Sequence, residues 1–203
     1  MSRPLISPTV ARRSREEIEA AVRAATLELV EELPFKDLTV DRIARAAGIS
    51  RTAFYFYFRG KHDVLRAAIE EVTEEAFQET GRWWHGEGHP RDLIRTAVQG
   101  VVDVYQRHEH LNRAIQEVAM YDEEMGQLWR EMLGRFIKAT AEHLQQEQAA
   151  GRLRPIDPDA AAESLVWMTE RCNYMYLSMG RRSAQEEVET LTEIWYHALY
   201  PDG

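Results

Sequence analysis

The stretch Thr39–Lys61, TVDRIARAAGISRTAFYFYFRGK, constrains this chain more than any other. It reads as two short helices around a tight turn. Thr39 is placed to cap the first, with Val40, Ile43, Ala44 and Ala47 at helical spacing on one face. Gly48 ends that helix, because a left-handed position after the C-cap suits a residue without Cβ. Ser50 caps a second helix over Arg51–Phe58. Phe54 and Phe58, four apart, share a buried face, and Lys61 opens the next long helical pattern. An ordinary helix corner also uses a glycine turn. The run AFYFYF, however, puts three Phe and two Tyr in about a turn and a half, more than one buried stripe can hide. Rings left on the outer face mark an interaction surface. A polar, aromatic outer face on the second helix is the pattern of a DNA-reading helix-turn-helix.

In that arrangement the first residues of the second helix meet base edges. Arg51 can pair bidentately with guanine, worth roughly 1–3 kcal/mol of discrimination. Thr52 and Ala53 are small enough to meet thymine methyls. Tyr55 and Tyr57 carry hydroxyls suited to phosphate. Lys61 sits at a helix N-terminus, where charge and free N–H groups favour an anion.

Taken alone, the net charge of −9 argues against nucleic acid, but its distribution reverses that. Residues 1–61 hold 11 Lys and Arg against 8 Asp and Glu, a balance of +3; the remainder holds 14 against 26, a balance of −12. A mildly basic end on an acidic body suits a DNA reader with a separate second domain. A hydrophobic content of 44% supports a sizeable core. No apolar run approaches the roughly 18–20 residues of a membrane span, and residues 1–10 lack a signal-peptide core, so no membrane partner and a cytoplasmic location are expected. The single cysteine, Cys172, leaves no disulfide framework and no Cys-based zinc site.

Along the chain, residues 1–13 read as an arm able to add phosphate contacts or to remain a free tail. Ser14-Arg-Glu-Glu17 is a capping box opening a helix with Ile18, Val22, Ala25, Leu29 and Leu33 as its core stripe. Pro34 ends it, and Phe35 and Leu38 plug the base of a three-helix unit. Lys61–Gly81 is a long amphipathic helix, and Trp83–Pro90 is expected to be a loop or frayed end. The body then shows helices over Pro90–His108, Leu111–Met120, Asp122–Ala150, Asp157–Gly180 and Ser183–Tyr200. No segment alternates with period two. The expected fold is all-α with about nine helices: residues 1–61 form the helix-turn-helix domain with its arm, and residues 62–203 a ligand-binding and dimerisation domain.

Thr39, Ile43, Ala44, Ala47, Gly48, Ser50, Tyr55, Phe58, Lys61 and Leu65 match a motif, and on them the chain resembles TetR-type transcriptional repressors. GISRTAFYFYF, LWREMLGRFIKAT, WMTERCNY and EIWYHALY carry a closer likeness to the ethionamide-resistance-type subgroup. The resemblance implies base contacts at Arg51, Thr52 and Tyr55, and phosphate contacts at Tyr57 and Lys61. It also implies an elongated cavity for a small hydrophobic effector. Mixed stripes in the body agree with that: Ile94, Ala97, Val101 and Tyr105; Leu133, Phe136 and Thr140; Val166, Thr169, Glu170 and Tyr174; and Trp195. Such stripes also occur as plain core. Ile94, Val166 and Thr169 depart from the subgroup, which carries a tryptophan and two asparagines there. Losing those amides points to a different, more apolar ligand.

One head buries too little surface for tight binding, so a homodimer on a near-palindromic double-stranded operator is expected, with half-sites about 34–36 Å apart or a multiple of it. Leu165, Met168, Cys172, Met175 and Met179, with Val188, Leu191 and Leu199, form stripes able to build a four-helix interface or to complete the monomer core. Enzyme readings lack support. His108-Glu-His110 has the wrong spacing for a metal helix. Glu193 and His197 lack a third ligand, and no Gly-rich phosphate loop or G-x-S-x-G occurs. No catalytic residue, metal site or cofactor is expected. Cys172 lies on an apolar helix, which argues against a redox regulator. An activator remains an alternative to a repressor, as does a regulator without small-molecule control.

Overall fold

The computed structural model of the chain describes residues 13–177 and 180–201. Its described residues form nine α-helices and no strand. They are α1 (Arg15–Glu32), α2 (Val40–Ala46), α3 (Arg51–Tyr57), α4 (Lys61–His85), α5 (Pro90–Arg107), α6 (Glu109–Ala119), α7 (Glu123–Ala149), α8 (Pro158–Cys172) and α9 (Ala184–Leu199). A 3₁₀ turn over Phe35–Asp37 joins α1 to α2, and a π-helical turn over Asn173–Leu177 follows α8.

Local chemistry starts and stops these helices. Ser14 and Ser183 each form a full capping box, with Glu17 and Glu186. Thr39, Ser50 and Asp157 cap α2, α3 and α8 through side-chain oxygens that accept backbone N–H groups. At the end of α2, Gly48 adopts φ 69°. Its N–H donates to the Arg45 carbonyl at 3.1 Å, and that of Ile49 donates to Ala44 at 2.9 Å. These are the paired bonds of a Schellman stop, which needs a left-handed residue at this point. The Arg13 guanidinium donates to the Ala47 carbonyl at the same helix end, 3.1 Å away.

The apolar residues gather into two clusters. One joins α1, the 3₁₀ turn, α2 and α3 to the first turns of α4 (Val64, Leu65, Ala68, Ile69), to α6, and to the start of α7. The other joins the end of α4 to α5, the rest of α7, α8 and α9. Helices α4 and α7 therefore run through both. α4 is also longer than its sequence pattern suggests. It passes through Gly81 and carries Trp83 and Trp84 within the helix, where a loop is expected from sequence. A single mid-helix glycine costs only about 1 kcal/mol. Burial of Trp83 in the body cluster offsets that cost.

Candidate nucleic-acid interface and effector cavity

Helix α3 is amphipathic in an unusual sense, with rings on both faces. Phe54 is fully buried and Phe58 nearly so, which seats the helix on the head. On the opposite face Arg51, Thr52, Tyr55 and Phe56 are exposed, Phe56 by 76%. Ala53 and Tyr57 are half-buried, and the Arg15 guanidinium lies over the Tyr57 ring at 5.8 Å. The oxygens of Thr39 and Ser50 are engaged as caps, accepting from Arg42 at 3.3 Å and Ala53 at 3.0 Å. Those caps orient α2 and α3. Arg51 pairs with Asp41 at 3.0 Å and reaches the Tyr55 hydroxyl at 3.5 Å. The Asp41 carboxylate is the main reason its guanidinium binds its proton more tightly than usual. Both partners are solvated, so the pair is weakly held. Phe56 was not anticipated from sequence as a member of this face. The count of rings in AFYFYF was the signal for it.

The structure revises the role expected of Lys61. Its Nζ donates to the carbonyls of Phe35, Lys36 and Leu38 at 2.8–2.9 Å and lies 4.8 Å from the Phe35 ring centre. An ammonium has three donors, and all three are used within the head. Burial pulls this ammonium below its ordinary pKa. The side chain clamps the 3₁₀ turn onto α4, and only backbone N–H groups at the start of α4 remain to meet an anion. The arm over residues 1–12 lies outside the described residues.

In the body, a cavity of about 150 Å³ lies between α4, α5, α7, α8 and α9. Ile94, Ala97, Val101, Tyr105, Leu133, Phe136, Thr140, Val166, Thr169, Glu170 and Trp195 all line it, so the separate sequence stripes converge on one space. Tyr174 does not. It sits under the Arg171 guanidinium, 5.4 Å from ring centre to carbon, and Asn173, 1% exposed, takes the inward place. The reason is the i→i+5 turn that begins at Asn173, which breaks the i, i+4 stripe linking Glu170 to Tyr174. Sequence reading also missed the α4 wall, Val72, Thr73, Ala76, Thr80, Trp83 and Trp84, because part of it fell in the supposed loop.

Glu170 is the charged member of the lining. It is 8% exposed and accepts a hydrogen bond on Oε1 from Gln116 of α6. Burial raises its carboxyl above the ordinary range, with the Arg171 charge and the Gln116 bond opposing. A carboxyl whose folded pKa is raised holds its proton longer in the folded state, so stability falls as pH rises from the unfolded value through the folded one. Glu170→Gln removes this penalty. Urea titrations at pH 4 and pH 8 should show the variant gaining stability over the parent as pH rises.

The stripes expected to face a second copy prove mostly internal. Val188, Leu191 and Leu199 are 0% exposed within one chain and Leu165 is 7% exposed, so all four belong to the monomer core. Met168, Cys172 and Met175 are half-buried, Ile194 is exposed, and Met179 lies outside the described residues. Burial pushes the Cys172 thiol up, away from reactivity. His108 meets Glu75 at 2.9 Å and His197 meets Glu193 at 3.3 Å. Among the described residues no group of three His, Cys, Asp or Glu is placed to hold a metal, and no helix is long and apolar enough to cross a membrane.

Comparison with known proteins bears on both regions. Residues 94–201 match the family description "Transcriptional regulator EthR, C-terminal domain", and residues 22–68 match "Bacterial regulatory proteins, tetR family". The chain is 32% identical over 196 residues to the HTH-type transcriptional regulator EthR of Mycolicibacterium smegmatis, covering 94% of this chain and 89% of that one. It is 29% identical over 198 residues to EthR of Mycobacterium tuberculosis, covering 95% and 92%. Among solved structures, a putative TetR-family regulator from Syntrophomonas wolfei superposes with TM-score 0.78 at 15% identity, covering 90% of this chain and 94% of that one. NalD, the secondary repressor of the MexAB-OprM multidrug efflux pump in Pseudomonas aeruginosa, superposes with TM-score 0.75 at 22% identity, covering 94% and 99%. These structures share the fold.

Proposed function

The chain belongs to the TetR family of bacterial transcriptional regulators, with an EthR-type C-terminal domain, and on that premise we propose that it is a dimeric repressor released from its operator by a small apolar effector. Members of this family are DNA-binding regulators, not enzymes. The observation that carries the finer reading is the shared helix α4. Its first turns pack in the head cluster through Val64, Leu65, Ala68 and Ile69, while its later turns form one wall of the cavity.

A ligand in the cavity presses on Ala76, Thr80 and Trp84, and α4 is the element that passes the displacement to the head. α7 also spans both clusters and adds a second link. In a dimer, a shift of α4 alters the spacing of two recognition helices that must fit successive major grooves. The effector achieves this only through unequal affinity for the two states. A tenfold switch takes about 1.4 kcal/mol of that difference. We place the partner surface on the outward faces of α8, the π-helical turn and α9, using Met168, Met175 and Ile194. Residues 1–61 act as the reading head and 62–203 as the sensing and dimerising part.

Arg51, Thr52, Tyr55 and Phe56 supply the base-facing contacts in this reading. Arg51→Ala is expected to cost about 1–3 kcal/mol on the operator and much less on random DNA. Fluorescence anisotropy with both duplexes measures it. Equal losses on the two would remove Arg51 from base readout.

A further inference from the structure

The polar groups around the cavity are not balanced. Two donors on its α8–α9 side are engaged. The Thr169 hydroxyl donates to the Leu165 carbonyl at 2.9 Å, and the Trp195 indole N–H donates to Thr169 Oγ1 at 2.9 Å. Across from them the Asn112 amide donates to the Tyr105 carbonyl at 3.3 Å, and the Gln116 amide is spent on Glu170 Oε1. Two acceptors on α8 and its π turn remain without a hydrogen bond, Glu170 Oε2 and Asn173 Oδ1. Both residues are more than nine-tenths buried and both line the cavity. Arg171 Nε stands 3.8 Å from Glu170 Oε2, beyond hydrogen-bond reach, with its side chain half in solvent. On the far wall the Trp84 indole N–H lacks a partner and the Trp83 side chain turns to the Tyr200 hydroxyl, but these are neutral donors. Among the described residues, the one carboxyl group of the lining is on α8.

A buried acceptor without a donor costs roughly 1–3 kcal/mol, more when charged. That cost is recovered by whatever supplies the donor. Resting on the effector reading above, we propose that the cavity takes an amphipathic ligand whose polar end is a hydrogen-bond donor, best a protonated amine, seated on Glu170 and Asn173. Its hydrocarbon part lies along the aromatic wall of Phe136, Trp129 and Trp84. A carboxylate head meets Glu170 as a like charge and is rejected. The resemblance alone points to an apolar ligand. The two oxygens without a hydrogen bond add the chemistry of its head.

The test uses the full-length protein, with tryptophan fluorescence as readout because Trp83, Trp84, Trp129 and Trp195 line the cavity. Octylamine, octyl acetate and octanoate are titrated in parallel at pH 7. One charge-assisted hydrogen bond is worth roughly 1.5–3 kcal/mol, so octylamine should bind at least about tenfold more tightly than the other two. Glu170→Gln should erase most of that preference while retaining octyl acetate binding. Octyl acetate binding as tightly as octylamine to the parent protein overturns the donor-head assignment and leaves the apolar effector site standing. Failure of all three to bind overturns both. The parent series decides the matter even if the variant does not fold.

Discussion

Phe54→Ala is expected to destabilise the protein by about 3–5 kcal/mol, the range for removing a fully buried aromatic ring. Phe54 is 0% exposed and packs against Phe58 with the rings tilted and their centres 5.8 Å apart, within the cluster that joins α1, α2, α3 and α4. α3 has only seven residues, too few to hold a helix in water without tertiary packing. Losing its anchor therefore removes the recognition helix as well as stability. Phe56→Ala is the matched control, two residues along and 76% exposed. It should change stability by no more than about 0.5 kcal/mol and act on DNA affinity alone. Urea denaturation followed by anisotropy on the operator separates the two effects. Comparable stability losses in both variants would mean that α3 is seated on the other face.

Lys61→Met is expected to lose about 1.5–3 kcal/mol of stability, with little change in the salt dependence of DNA binding. The ammonium joins three carbonyls of the α1–α2 connection to the start of α4, and a hydrogen bond from a charged donor contributes roughly 1.5–3 kcal/mol. Methionine keeps much of the stem packing and supplies no donor, leaving those carbonyls to solvent. A lysine that neutralised a phosphate would act differently. Its loss would lower the slope of log affinity against log salt by about one and leave stability unchanged. Measuring the midpoint in urea and the salt slope on the same variant discriminates the two. A reduced slope with unchanged midpoint would return Lys61 to the phosphate side.

The all-α fold and the head were legible in the sequence because their signals are local. Ser14, Thr39, Ser50, Asp157 and Ser183 each cap the helix expected of them, since a cap is decided within four residues. Gly48 stops α2 for the same kind of reason. What failed was non-local. Trp83 and Trp84 looked like a loop beside glycines, and only burial against α5, α7 and α9 shows why the helix continues. Val188, Leu191 and Leu199 form a stripe, but periodicity does not say whether a stripe faces its own chain or another. Lys61 reads from sequence as a phosphate contact, until the carbonyls of the preceding turn are seen around it. The cavity stripes converged because each lies on a helix of correct register. Tyr174 fell away where the register changed to a π turn.

The proposed repressor must recognise a specific operator sequence as a dimer. Selection of genomic fragments by the purified full-length protein at about 150 mM salt, followed by footprinting, tests it most directly, since non-specific phosphate contacts weaken steeply as salt rises. Protein stripped of bound ligand by refolding should enrich a near-palindromic site and protect two half-sites spaced by one helical turn or a multiple of it, about 34–36 Å each. No enriched sequence from ligand-stripped, refolded protein would contradict the account.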